Sequence, residues 1–377
     1  MGQAILQFGT SRFLQAHVDL FVSQAQDRGD AGQAIGGITV VQTTTNPASA
    51  ERVAALAAGG GYPVRIRGLR HGERIDETIT CRAVRQALQA DAHWPALREA
   101  IASDVRVIVS NTADRGYQLD EADGPALIDD ACRAPRSFPA KLLVLLHHRW
   151  VTHPAAGLSI FPCELIERNG DVLRDAVCFL AQQWRLDAGF VDWLRTRCIW
   201  ANSLVDRIVS EALHPVGAVA EPYALWAIER QPGLVLPCAH EAMVLTDDLA
   251  RFERLKLFLL NAGHSLLAER WLGDGRAEGQ TVQQAMNDAG LRAELEAFWA
   301  DEVLPVFDAL GQRAEADAYL VDLRERLLNP FLNHRLSDIA QNHAQKKQRR
   351  LRPIAELAGQ LQCGIAQPRL HAALASA

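Results

Sequence analysis

Short apolar, β-branched runs alternate with helix-periodic stretches through the first half of the chain, and the helical period takes over in the second. Residues 4–8 predict a first strand. Phe13, Ala16, Leu20, Phe21 and Ala25 recur as one face of a helix over residues 13–26. Residues 37–42 (GITVVQ) predict a second strand, closed by the turn-prone TTTNP, with a helix from about Ser49. Residues 105–110 (VRVIVS) read as a strand buried on both faces, as parallel sheets require. The apolar run 141–146 (KLLVLL) fits helix or strand by length, and Pro139 just ahead of it favours a helix start. Residues 158–162 predict another strand and 171–184 another helix.

From Glu221 onward nearly every segment carries helical periodicity: 221–230, 247–272, 281–289, 291–307, 314–328 and 337–345. The expected plan is a parallel α/β domain over residues 1–200 followed by a mostly α-helical domain over residues 201–377.

Composition narrows the class. Of 377 residues, 49% are hydrophobic and 22% charged, too apolar for a disordered chain. No apolar run reaches the roughly 20 residues of a membrane span, so no membrane partner is expected. The N-terminus lacks the basic and long apolar regions of a secretory signal, and the seven cysteines form no CxxC pair. A reduced, cytoplasmic protein without disulfides or thiolate zinc is expected. The formal net charge of -6 offers no global field for nucleic acid. The short basic run 346–350 (KKQRR), with no aromatic partners, reads as a solvated helix end or an anion contact. Lysine occurs only at positions 141, 256, 346 and 347, which singles each one out.

Two stretches carry candidate chemistry. Gln7-Phe8-Gly9-Thr10-Ser11-Arg12-Phe13 sits between the first strand and the first helix, where backbone N–H groups receive a pyrophosphate in dinucleotide-binding folds. Only Gly9 of the usual three glycines is present, and the second strand ends in Gln42-Thr43-Thr44 rather than an acid. Spacing alone therefore leaves a purely structural turn as an equal alternative, and leaves NAD or NADP open. The second stretch, residues 254–267 (RLKLFLLNAGHSLL), is apolar almost all round and implies burial. At about 100° per residue, Lys256, His264 and Asn261 fall at roughly 0°, 80° and 140°, on one side of the helix. Burial lowers a lysine pKa and suits it to proton transfer. The bland alternative is an exposed lysine, a capping asparagine and a satisfied core histidine; three such residues on one side favour function.

Other chemistries fail on spacing. No tyrosine is followed by lysine four residues later, His240-Glu241 lacks a second histidine at Val244, and neither a P-loop nor a GxSxG elbow is present.

With these stretches in view, the sequence resembles the polyol-specific long-chain dehydrogenases. The likeness runs through ILQFGTSRFLQAH at 5–17, SNTADRGY at 110–117, FPAKL at 138–142 and FPCELIERNG at 161–170. It continues through NSLVDRIV at 202–209, EPYALW at 221–226, KLFLLNAGH at 256–264 and RLLNPFLNHRLSDIA at 326–340. The resemblance implies a Rossmann-like first domain, NAD or NADP (NAD slightly favoured), and metal-independent hydride transfer on a sugar acid or polyol. It implies Lys256 as general acid/base, Asn261 as a donor to the reacting oxygen and His264 as holder of substrate hydroxyls. Asp206, Arg326 and His334 would contact substrate. Phe8, Gly9, Thr10, Ser11, Arg12, Phe13, Gln42, Asn111 and Thr112 would line the cofactor. Cys163-Glu164-Leu165 is similar to the tagaturonate-reductase branch, although the chain is shorter than is usual there. It places Leu165 where mannitol dehydrogenases carry a second oxyanion-hole asparagine. That leucine and the eroded glycine turn motivate a second expectation, a catalytically silent dinucleotide-binding or regulatory protein of the same fold. A monomer or small homo-oligomer is expected.

Overall fold

The computed structural model describes residues 2–28, 34–112, 116–275 and 277–376. The chain forms two compact units, one of residues 1–65, 78–220 and 224–249, the other of residues 66–77, 221–223 and 250–377.

The first strands along the chain are β1 (Ile5–Phe8), β2 (Ile38–Gln42), β3 (Tyr62–Arg70), β4 (Glu73–Cys81), β5 (Val84–Gln89), β6 (Val107–Ser110), β7 (Ser159–Pro162) and β8 (Ile199–Trp200). The sheet order is β5-β2-β1-β6-β7-β8, with every neighbouring pair parallel. This is a Rossmann-like doubly wound sheet. The chain leaves β1 toward β2 on one side and returns to β6 on the other, so the switch point lies between β1 and β6. The four strands expected from continuous apolar runs are those at its centre, and β1, β2, β6 and β7 are buried throughout. The helix at Phe138–Thr152 forms as expected: Ser137 caps it, Pro139 occupies its first turn, and its run from Phe138 to Leu146 is wholly buried in the core.

Several expectations are corrected. The helix over 13–26 breaks into Arg12–Gln15 and Val18–Asp27. His17, at the break, packs its ring among Phe13, Phe21 and Trp226. The segment expected as helix 221–230 is a strand, β12 (Leu225–Glu229). It follows β9 (Ser203–Asp206), β10 (Val209–Ala212) and β11 (Ala218–Ala220), pairs antiparallel with β9, and pairs parallel with β13 (Met243–Thr246). Trp226, Ala227 and Ile228 are fully buried there, and strand pairing overrides the helical reading. A third sheet runs β10-β11-β3-β4.

The second unit is mostly helical around one core that includes Phe258, Leu259, Leu266, Trp299, Phe307 and Leu323. Its central rod runs through Leu249–Leu255, a π-helical stretch Lys256–Asn261 and Ala262–Gly273. A second π stretch, Trp299–Val303, interrupts the helix expected at 291–307. The helix expected at 337–345 is split by left-handed Asn342 into Leu336–Ile339 and His343–Arg350. The basic run is also corrected. Lys347 is buried, donating to the Ser376 carbonyl at 2.7 Å and hydroxyl at 2.8 Å, with Glu269 at 3.2 Å. Among the described residues no helix is long and apolar enough to cross a membrane. All seven cysteines are free thiols.

Candidate active site

At the carboxyl end of β1, Gly9 adopts φ +119, and a Cβ there would stand 2.5 Å from the Asn111 carbonyl oxygen. Only glycine permits this approach of β1 and β6 at the switch point. Hydrogen bonds then tie three strand ends together. Ser11 Oγ accepts from the Leu14 amide and donates to Asn111 Oδ1 at 3.2 Å, while Asn111 Nδ2 donates to the Cys163 carbonyl at 2.8 Å. The Thr10 carbonyl accepts from Gln15 and from Arg52, whose guanidinium also reaches Thr10 Oγ1. At the end of β2, Gln42 Nε2 donates to the Thr44 and Asn46 carbonyls, which fixes the amide orientation and leaves buried Oε1 without a protein partner. That orphaned acceptor, beside a cradle that a Cβ would fill, fits a group bearing hydroxyl donors.

The expected cofactor residues therefore share one region but not one role. Phe8 is fully buried against Phe138, so only its backbone is available. Phe13 stacks on His17, with ring centroids 4.8 Å apart, and Arg12 is exposed. In the motif at 110–117, residues 113–115 lie outside the described residues.

Sequence reasoning missed what Thr112 does. Its amide and hydroxyl both donate to Glu164 Oε1 at 2.9 Å, while Ser110 Oγ and Tyr117 OH donate to Oε2, each at 3.0 Å. Burial and then the Glu164 charge push the Tyr117 hydroxyl and the Cys163 thiol well above their usual ranges. The CELI run was the available signal. Its third residue, Leu165, is 74% exposed. Asp206 is buried at the end of β9, opposite Leu225. The Leu225 carbonyl lies 3.2 Å from His17 Nε2, and burial holds the His17 pKa at about 3, with Asp206 opposing.

In the second unit, Lys256 opens the π stretch, Asn261 closes it and His264 lies in the next turn. A turn closed by i→i+5 bonds aligns residues five apart, so Lys256 and Asn261 come onto one face more closely than a 3.6-residue count allows. The Ala262 amide bonds to the Leu257 carbonyl in this pattern, and the Trp299 indole N–H donates to the Leu259 carbonyl at 3.2 Å. Lys256 and Asn261 are half-buried, correcting the expectation of a buried lysine; His264 is buried. His264 meets His334 edge to face, ring centroids 4.8 Å apart. Burial lowers the His334 pKa.

Arg326, expected as a substrate contact, has a partner within the protein. Its buried guanidinium binds both oxygens of Glu221 from Nε at 3.1 and 3.0 Å, with Nη2 to Oε1 at 2.9 Å. It also lies 4.2 Å from the Tyr223 ring centroid and donates to Tyr319 OH at 3.4 Å. Its fork holds a protein carboxylate. Among the described residues, no group of three His, Cys, Asp or Glu side chains is arranged to hold a metal ion.

The family model described as the mannitol dehydrogenase Rossmann domain matches residues 3–234, and that of the mannitol dehydrogenase C-terminal domain matches 248–377. The chain belongs to the mannitol dehydrogenase family. Among relatives of this family member, altronate oxidoreductase of Cronobacter sakazakii (strain ATCC BAA-894) is 32% identical over 99% of this chain and 79% of the relative. The Bacillus subtilis (strain 168) altronate oxidoreductase is 30% identical over 95% and 76%. The fold is shared with D-sorbitol dehydrogenase in substrate-free form (TM-score 0.82, 19% identity, covering 99% of this chain and 80% of that one). It is also shared with a Pseudomonas fluorescens mannitol 2-dehydrogenase ternary complex with NAD and D-mannitol (TM-score 0.74, 19% identity, 99% and 78%).

Proposed function

We propose that this member of the mannitol dehydrogenase family is a cytoplasmic NAD(P)-dependent oxidoreductase that interconverts a keto sugar acid, or a ketose, and its alcohol. The observation that carries this reading is the π turn that aligns Lys256 and Asn261 ahead of a buried His264. Likeness to proteins named altronate oxidoreductase at 30–32% identity supports a hexuronate ahead of a neutral polyol. A bound nicotinamide supplies the hydride acceptor or donor. The β1–β6 switch point would hold the dinucleotide through the Gly9–Ser11 backbone, Asn111 and Thr112, with Gln42 Oε1 accepting from a ribose hydroxyl. Lys256 Nζ gives a proton to the substrate oxygen in reduction and takes it in oxidation. Asn261 donates a hydrogen bond to that oxygen as charge develops. His264, braced by His334, holds substrate hydroxyls. Asp206 is a further substrate contact. Arg326, whose guanidinium is held by Glu221 and lies over the Tyr223 ring, is another. The division of labour follows the chain, nucleotide in residues 1–200 and substrate and proton transfer in residues 201–377.

The test is a panel of tagaturonate, fructuronate, fructose and fructose 6-phosphate with NADH and with NADPH. Reduction of tagaturonate is the expected result, and activity on fructose alone sinks the hexuronate reading. Lys256→Ala should lower kcat by about 10²–10⁴-fold, the usual worth of a general acid/base; unchanged turnover overturns its role. Leu165, exposed where mannitol dehydrogenases carry an oxyanion-hole asparagine, favours a second reading, a silent dinucleotide-binding protein. Cofactor binding with no turnover on the whole panel would select it.

A further inference from the structure

Glu164 is a buried carboxylate that no step above uses. It follows β7, whose carboxyl end lies beside that of β6 in the half of the sheet beyond the switch point. In a doubly wound sheet that half receives the second mononucleotide of a dinucleotide. Among the described residues its four partners are neutral donors, namely the Thr112 amide and hydroxyl, Ser110 Oγ and Tyr117 OH, with no cation among them. Neutral dipoles orient a charge without cancelling it, and in a partly desolvated site its field reaches well past its first contacts.

We propose that Glu164 is a positioning residue whose negative charge makes the site favour the oxidised, cationic nicotinamide over the reduced, neutral one. This rests on the nicotinamide reading above. The carboxylate anchors Thr112 at the end of β6, and its charge stabilises a positive ring while doing little for a neutral one. On the enzyme it lowers the energy of the side that holds NAD+ and alcohol, and so biases hydride transfer toward carbonyl reduction relative to a chain with a neutral residue at 164.

Glu164→Gln separates charge from anchoring. The amide oxygen can keep the two Thr112 bonds, and the Ser110 and Tyr117 hydroxyls can rotate to accept from the amide nitrogen. The experiment measures dissociation constants of NAD+ by calorimetry and NADH by its fluorescence, for wild type and variant. The ratio Kd(NAD+)/Kd(NADH) should rise about fivefold in Glu164→Gln, the scale of one charge acting through a partly screened medium. Tyr117→Phe, which removes a donor and keeps the charge, should leave the ratio unchanged. An anchor alone would weaken both forms equally in Glu164→Gln, and that result overturns the proposal. Should Glu164→Gln fail to fold, Leu165→Lys at the exposed neighbouring position brings a cation to the same end of the sheet. It should move the ratio the same way, and an unmoved ratio there also overturns the proposal. Wild type that binds neither form of either dinucleotide overturns the nicotinamide reading itself, and this one with it.

Discussion

The imidazole of His264 rests edge-on against that of His334, with centroids 4.8 Å apart and planes 79° from parallel. One ring belongs to the central helical rod and the other to the loop before Leu336–Ile339, so a contact 70 residues apart in sequence fixes the orientation of the proposed substrate-holding histidine. Burial keeps His334 below its usual pKa, hence neutral at pH 7. His334→Leu keeps bulk and removes both nitrogens. The expected outcome in steady-state kinetics is a rise in KM of about tenfold with a smaller change in kcat, the signature of lost ground-state binding. An unchanged KM would reduce His334 to packing.

The Arg326–Glu221 pair should behave as a buried ion pair. Glu221→Ala leaves a desolvated guanidinium and should destabilise the protein by about 3–5 kcal/mol, read by denaturant unfolding. The Arg326→Met/Glu221→Leu double variant should lose less than the two single changes summed, because no uncompensated charge remains. Strict additivity would mean the two groups are not coupled.

Gly9→Ala should cost about 1–3 kcal/mol for its backbone conformation alone, before any clash with the Asn111 carbonyl. Because β1 or β6 must shift to admit the methyl, dinucleotide affinity should fall more than stability does. Full cofactor affinity in that variant would place the nucleotide away from the switch point.

Two buried groups give opposite pH dependence to stability. Tyr62 donates to Asp19 at 2.7 Å, and burial pushes the Asp19 carboxyl up from 3.8 to about 7. The unfolded chain loses that proton first, so the stability Asp19 contributes below pH 3.8 is lost as pH rises toward 7. His17 runs the other way. Burial holds it at about 3 against 6.5 when unfolded, so its contribution is present above pH 6.5 and lost as pH falls toward 3. Asp19→Asn, which keeps an acceptor for Tyr62, should gain on wild type by up to about 4 kcal/mol between pH 4 and pH 7.5. Unfolding curves at both pH values check it, and a constant difference would show that Asp19 ionises freely in the folded protein.

Much of the sheet was legible because strands buried on both faces leave unbroken apolar runs, as at Ile38–Gln42 and Val107–Ser110. The hairpin Tyr62–Arg70 and Glu73–Cys81 left no such mark, since most of its second strand is exposed or half-buried and polar. Leu225–Glu229 depended on partners at 203–206 and 243–246 that no local period reveals. In the site, residue types pointed to Lys256, Asn261 and His264, but a count at 3.6 residues per turn could not contain a π turn. The Glu221 partner of Arg326 left no mark because it lies 105 residues earlier. Glu164 was visible only as a departure from a motif, its four donors arriving from another strand and loop.

The π turn also governs how this segment can be aligned and transplanted. Deleting any one residue between Leu257 and Leu260 would leave an unremarkable apolar helix that keeps its core contacts on either side. Such a deletion would let i→i+4 bonding resume without turning the two halves of the rod relative to each other, because the π stretch already absorbs the one extra residue. The lysine and asparagine would then stand four residues apart, about 40° around an α-helix, with the histidine three further on, so all three would stay on one face. A gap of one in KLFLLN is therefore a mild change, whereas a graft of these three residues at their present spacing onto a regular α-helix would carry the letters without the geometry.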